Sequence, residues 1–151
     1  MRKRRNKKLF LPLVITVIII GIVLLVILNI PSGPEKVVRD FYTYEAEGSF
    51  DQSWTLFHPD MKIRFPKATY IQTRSHVFMQ HMNVETFSFE IGKGKKKKGW
   101  RMNKDGEVFA EAYEVPVDVT FHSQFGIFTM QQNCYVVKEK GEWLILWDYR
   151  F

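Results

Sequence analysis

The chain has 151 residues, 46% hydrophobic and 15% aromatic, with 22 lysines and arginines against 16 acids. Its single cysteine, Cys134, excludes a disulfide framework, so packing must hold the fold. The positive excess suggests nucleic acid until its distribution is read: residues 1–30 carry six basic residues and no acid, and the rest carries 16 of each sign.

The first eight residues, MRKRRNKK, are followed by an uncharged run over residues 9–30, LFLPLVITVIIIGIVLLVILNI, interrupted by Pro12, Thr16, Gly21 and Asn29. A helix of that length spans roughly 33 Å, enough for a hydrocarbon core of about 30 Å. A cleaved signal has an apolar region of about 7–15 residues and ends in a small-x-small site. This run leaves instead through Leu28-Asn29-Ile30-Pro31, and no cysteine follows it for lipid attachment. The pattern predicts an uncleaved anchor: residues 1–8 a basic cytoplasmic tail, 9–30 a transmembrane helix, 31–33 a short linker. The positive-inside rule then places residues 34–151 outside the cytoplasm, as one domain.

Gly33-Pro34 reads as a helix start, with Glu35 suited to the positive end of the dipole. Val37, Val38, Phe41, Tyr44 and Glu45 follow at helical spacing, and Gly48 closes the helix. Ser49-Phe50-Asp51-Gln52 has the form of a capping box for a short second helix, with Phe50, Trp54 and Phe57 on one stripe and His58-Pro59 ending it. A third helix is expected over residues 67–82, lined by Ile71, Arg74, Phe78 and Met82.

Beyond Asn83 the period falls to two. Phe87, Phe89 and Ile91 alternate with polar residues, and a longer strand over residues 109–122 turns Tyr113, Val115, Val117, Val119 and Phe121 one way. Turns at Ser123–Gly126 and Glu139–Gly141 lead into strands over residues 127–138 and 143–151. Three helices then four antiparallel strands predict an α+β domain, helices packed on one face of a curved sheet. Between the first two strands lies GKGKKKKGW, read as a loop holding Lys93, Lys95, Lys96, Lys97 and Lys98. Solvation of that loop is the simpler reading of these lysines. Contact with anionic lipid headgroups or an anionic wall polymer is the alternative.

The closing stretch, Gly141-Glu-Trp143-Leu-Ile-Leu-Trp147, resembles the G-x-W-x-(I/V)-x-W strand of the nuclear-transport-factor-2-like fold. In particular it is similar to the MecA-type N-terminal domain of class B penicillin-binding proteins. Val37 to Asp51 resembles that family's opening V-x-x-F-x-x-W-x-x-G-D-Y, with Tyr44 in place of the Trp and Ser49-Phe50-Asp51 in place of the Asp-Tyr pair. The resemblance covers nearly all of residues 34–151. It implies a cone-shaped, non-catalytic domain, here standing alone behind an anchor, in a bacterial envelope and linked to peptidoglycan synthesis. The transpeptidase signatures are absent: no Ser has Lys three residues on, and there is no K-T-G. The same fold and single-pass topology also serve assembly subunits of secretion and conjugation machines, which stays open as an alternative.

Other members of the broader fold are enzymes or small-molecule binders, and in that case Trp54, Tyr113, Trp143 and Trp147 are the candidate lining of the cone. Their spacing suits core aromatics equally well. Glu111 is the one acid in register with the apolar face of the long strand, near its end, and reads as a rim residue. His76 and His81 stand about 140° apart on a helix and cannot share one metal ion. Cys134 reads as a buried, inert thiol. The expectation is therefore a protein without catalytic residues, metal or cofactor. Its partners are the membrane and an envelope protein or wall polymer, with no nucleic acid; the sequence leaves the oligomeric state open.

Overall fold

The computed structural model describes residues 14–21, 33–77, 83–84 and 86–150. The chain divides into two compact units, Met1–Pro31 and Ser32–Phe151. In the first, residues 14–21 form helix α1. The basic tail and the rest of the expected transmembrane run lie outside the described residues. Among the described residues no helix is long and apolar enough to cross a membrane.

The second unit is α+β. Four helices come first: α2 (Pro34–Ala46), α3 (Phe50–Thr55), α4 (Pro59–Arg64) and α5 (Lys67–Ser75). Five strands follow: β1 (Phe87–Ile91), β2 (Lys95–Trp100), β3 (Phe109–Ser123), β4 (Gly126–Glu139) and β5 (Glu142–Leu146). The sheet is antiparallel with the order β1-β3-β4-β5, and β2 also pairs with β3.

Three expectations about where elements start and which residues form them need correction. First, His58-Pro59 starts a helix instead of only stopping one. His58 is the N-cap of α4, its Nδ1 accepting from the Asp60 N–H at 3.2 Å, and Pro59 takes the first helical position, where no N–H is needed. Second, Ser49 precedes α3 without a side-chain cap, so the capping box does not form; its hydroxyl leaves that N–H to other partners. Third, the lysine run is a strand and not a loop. Ile91 faces Val117 and Lys95 faces Glu114, so four steps on this edge match three on β3. Gly92–Gly94 therefore forms a bulge, after which β2 resumes pairing along the same side of β3. The bulge requires glycine: a Cβ at Gly92 would lie 2.7 Å from Pro116 Cγ, and one at Gly94 2.9 Å from Glu35 Oε1.

The main core lies between the helices and the sheet. Val37, Val38, Phe41 and Tyr42 of α2 are buried with Val115, Val117, Val119 and Phe121 of β3. Tyr42, not Tyr44, carries the α2 stripe. Its ring packs against Phe87 and Phe89, and its hydroxyl donates to Gln132 at 3.0 Å. The β3 alternation holds from Val115 to Phe121 as the sequence predicts. Of the third helix expected over residues 67–82, α5 forms Lys67–Ser75 and a wider π-type turn follows at His76 and Val77; residues 78–82 lie outside the described residues.

Candidate functional site

A buried acid organises the helices. Glu45, near the end of α2, is only 2% exposed. Its Oε1 accepts from the Ser53 hydroxyl of α3 and from the Tyr70 hydroxyl of α5 at 2.7 Å. Its Oε2 accepts from Arg74 Nε at 2.6 Å, and a second Arg74 nitrogen completes a two-pronged ion pair. Burial drives the Tyr70 hydroxyl far above its ordinary range, with the Glu45 charge acting in the same direction. Burial is the largest single influence on Arg74 and pulls it down, but the Glu45 charge, its hydrogen bond and the neighbouring Tyr70 and Tyr42 together outweigh it and hold the guanidinium protonated. Every lone pair of this carboxylate that matters is engaged by a neighbouring helix, so it acts as a clasp joining α2, α3 and α5.

A second buried polar group sits where α4 meets the sheet. Because His58 Nδ1 accepts from a backbone N–H, the ring carries its proton on Nε2, which donates to Glu139 Oε1 at 3.0 Å. The ring stands edge-on to Phe109 with centroids 5.2 Å apart. His58 N–H and Ile145 C=O are bonded at 3.0 Å, and Ile145 N–H with Leu56 C=O at 2.9 Å, which ties the α3–α4 junction to β5.

Cys134 is fully buried beside the Tyr42 hydroxyl at 3.6 Å. Burial pushes its thiol up to about 11, against the weaker pull of Tyr42 and the Trp147 indole. Trp147 Nε1 itself makes no hydrogen bond of normal geometry. A thiol so placed is neutral and shielded, as the sequence suggests.

The four aromatic residues of the candidate cone lining each make contacts of their own. Trp147 packs its ring against Phe41, Phe57 and Phe65 at 6.2, 5.1 and 5.8 Å. Trp54 donates Nε1–H to the Phe65 carbonyl at 2.7 Å, with the Lys62 and Lys67 ammonium groups over its face. Tyr113 and Trp143 meet edge to face at 5.4 Å. Trp143 lines an open surface groove of about 480 Å³ with Val37, Asp40, Leu56 and Leu144 among its other walls. Among the described residues no three His, Cys, Asp or Glu side chains are grouped to hold a metal ion.

The lysines lie along an outer edge of the sheet. Lys96 pairs with Glu111, and Lys97 reaches Glu114 at 3.0 Å. Lys96 holds the Glu111 carboxyl below the usual range, helped by the Tyr113 hydroxyl at 2.8 Å. Lys93, Lys95 and Lys98 are exposed. This edge adjoins the start of α2, because the Gly94 N–H donates to Glu35 Oε1 at 2.9 Å.

At the opposite end of β3 the surface reverses character. The hairpin turns at Gln124-Phe125, closed by the Ser123–Gly126 pair and by the Ser123 hydroxyl donating to the Gly126 carbonyl at 3.1 Å. Phe125 is 79% exposed, Ile127 70%, Met130 46% and Phe128 38%. Residues 119–137 contain no Asp, Glu, Lys or Arg. The sequence reading missed this feature, although the uncharged run was there to be seen. No family model matches the chain, and no curated protein matches it.

Proposed function

We propose that this chain is a single-pass membrane protein whose residues 34–151 form an extracytoplasmic, non-catalytic binding or scaffolding domain of the nuclear-transport-factor-2-like kind, in a bacterial envelope and beside its peptidoglycan-synthesis machinery. The observation that carries the reading is the polarity of the domain. The start of α2 and the lysine edge are bonded together at one end, through Glu35 and Gly94. The apolar hairpin lies at the other, about 30 Å further along β3 at roughly 3.4 Å per residue.

From Ile30 to Glu35 is five residues, so the chain can stretch at most about 17 Å between them. A bilayer that holds residues 9–30 therefore has the lysine edge within reach. Glu111 and Glu114 pair with two of the five lysines, and Glu35 adds a third negative charge at the Gly94 N–H. The remaining charge supplies a modest, salt-sensitive bias toward anionic headgroups, screened over about 8 Å at physiological salt. In this reading the lysine edge is the part of the domain drawn to an anionic lipid surface, and the apolar hairpin is the part left for other envelope components. Two internal features support a binding role over chemistry: Glu45 and His58, the buried groups best suited to acid–base work, are both spent on helix junctions.

The test is the full chain reconstituted in vesicles with a headgroup quencher, labelled at Lys93→Cys or at Phe125→Cys. The label at 93 should be quenched more strongly than the one at 125, and the difference should shrink in neutral lipid or high salt. Equal quenching, or stronger quenching at 125, would overturn the arrangement; release of the chain by alkaline carbonate would overturn the anchor.

A further inference from the structure

The sheet has two open edges, and the sequence treats them in opposite ways. On one, β1 and β2 run past a glycine bulge into Lys95, Lys96, Lys97 and Lys98. Bulges and lysines are the devices by which edge strands avoid pairing with other chains. On the other side, β5 covers β4 only from Tyr135 to Glu139. Among the described residues, no strand pairs with the outer edge of β4 over residues 126–134. That edge is about 30 Å of extended backbone, without a lysine, a proline or a bulge.

We propose that residues 126–134 pair, antiparallel and edge to edge, with the same segment of a second copy of this chain, giving a two-fold dimer with one continuous sheet. The second copy is favoured over a foreign strand by self-complementarity. A two-fold contact sets a surface against itself, and charged residues on it would meet like charges. This segment carries none in any register. Phe128 and Met130, across from Phe121 and Val119 on the core-facing side, gain cover from their counterparts. The lysines also disfavour the competing arrangement in which β4 of one copy joins β2 of the next, because the exposed Lys95 and Lys98 would be crowded by the incoming strand. The pairing stands independently of the lipid-facing reading, because it uses the opposite end of β3.

The experiment uses the full chain in detergent micelles, with mass measured by ultracentrifugation over a hundredfold range of concentration. A dimer is expected, and Thr129→Lys with Gln131→Lys should weaken it at least tenfold while leaving the melting temperature within about 3 °C, since both side chains are exposed. Single cysteines at 127, 129, 131 and 133 keep the question decidable should the lysine variant misfold. One position should cross-link best, with yields falling on either side of it as a two-fold axis requires. A chain that stays monomeric at every concentration overturns the proposal. So does a dimer that the lysines leave intact, or one whose four cysteines cross-link equally or not at all.

Discussion

Removing Arg74 should do more damage than its partial exposure suggests. In Arg74→Leu the Glu45 carboxylate keeps the Ser53 and Tyr70 hydroxyls but loses its counter-charge and two charge-assisted bonds. Stripping one partner from a buried ion pair typically costs about 3–5 kcal/mol, because the remaining charge stays out of water. A domain near 120 residues has about 6–18 kcal/mol in total, so the loss is a large share of it. Glu45→Gln is the milder change: the amide oxygen still accepts from Ser53 and Tyr70, and Arg74, a quarter exposed, can turn toward solvent. A cost of about 1–2 kcal/mol is expected there. The double variant gives the sign test. With no charge left buried, Glu45→Gln/Arg74→Leu should be more stable than Arg74→Leu alone, although it carries one substitution more. Urea unfolding followed by tryptophan fluorescence reads all four proteins. A double variant less stable than Arg74→Leu would refute the buried-charge argument and leave only lost packing of the arginine stem.

Three further outcomes follow from the same packing. Trp147→Ala should lose about 3–5 kcal/mol, since it empties the space between Phe41, Phe57 and Phe65; an unchanged melting temperature would place that ring outside the core. Stability should fall as pH rises from 9 toward 11, because the folded state holds the Cys134 proton up to about 11 while the unfolded thiol releases it near 9; Tyr135, raised to about 12, extends the decline. Cys134→Ala should flatten the lower part of that slope, and an identical pH profile in both proteins would rule the thiol out. His58→Asn should recover about 1 kcal/mol of what His58→Ala loses, as Asn can still cap α4; equal losses would assign the cost to Glu139 and Phe109 alone.

What was legible in the sequence was local. The period-two pattern of residues 115–121 located the buried face of β3 because each residue there packs against helices on one side only. Gly33-Pro34 located the start of α2 because the glycine, at φ 78°, and the proline each satisfy a backbone demand that needs no tertiary partner. The Glu45 clasp was half visible: an acid sat on one apolar stripe and Arg74 on another, but nothing in the spacing said that the two stripes faced each other. The His58 cap was hidden for a different reason. Proline after a helix reads equally as an end or a beginning, and the choice is made by a contact with Glu139, far along the chain.

The lysine strand shows how a partner can override a poor local pattern. Consecutive lysines have low strand propensity and no alternation, so the run read as a loop. What fixes it is β3, a 15-residue strand whose far half would otherwise lack a neighbour on that side. Glu111 and Glu114 stand in register to receive two of the ammonium groups. The same lysines that fit poorly as a strand suit an edge, where they satisfy β3 and repel a further strand. An uncharged strand at that position would leave both long edges open, and chains carrying two open edges add to one another without limit. With its lysines on β2 and no charge over residues 126–134 of β4, the sequence disfavours pairing at the first strand and permits it at the second.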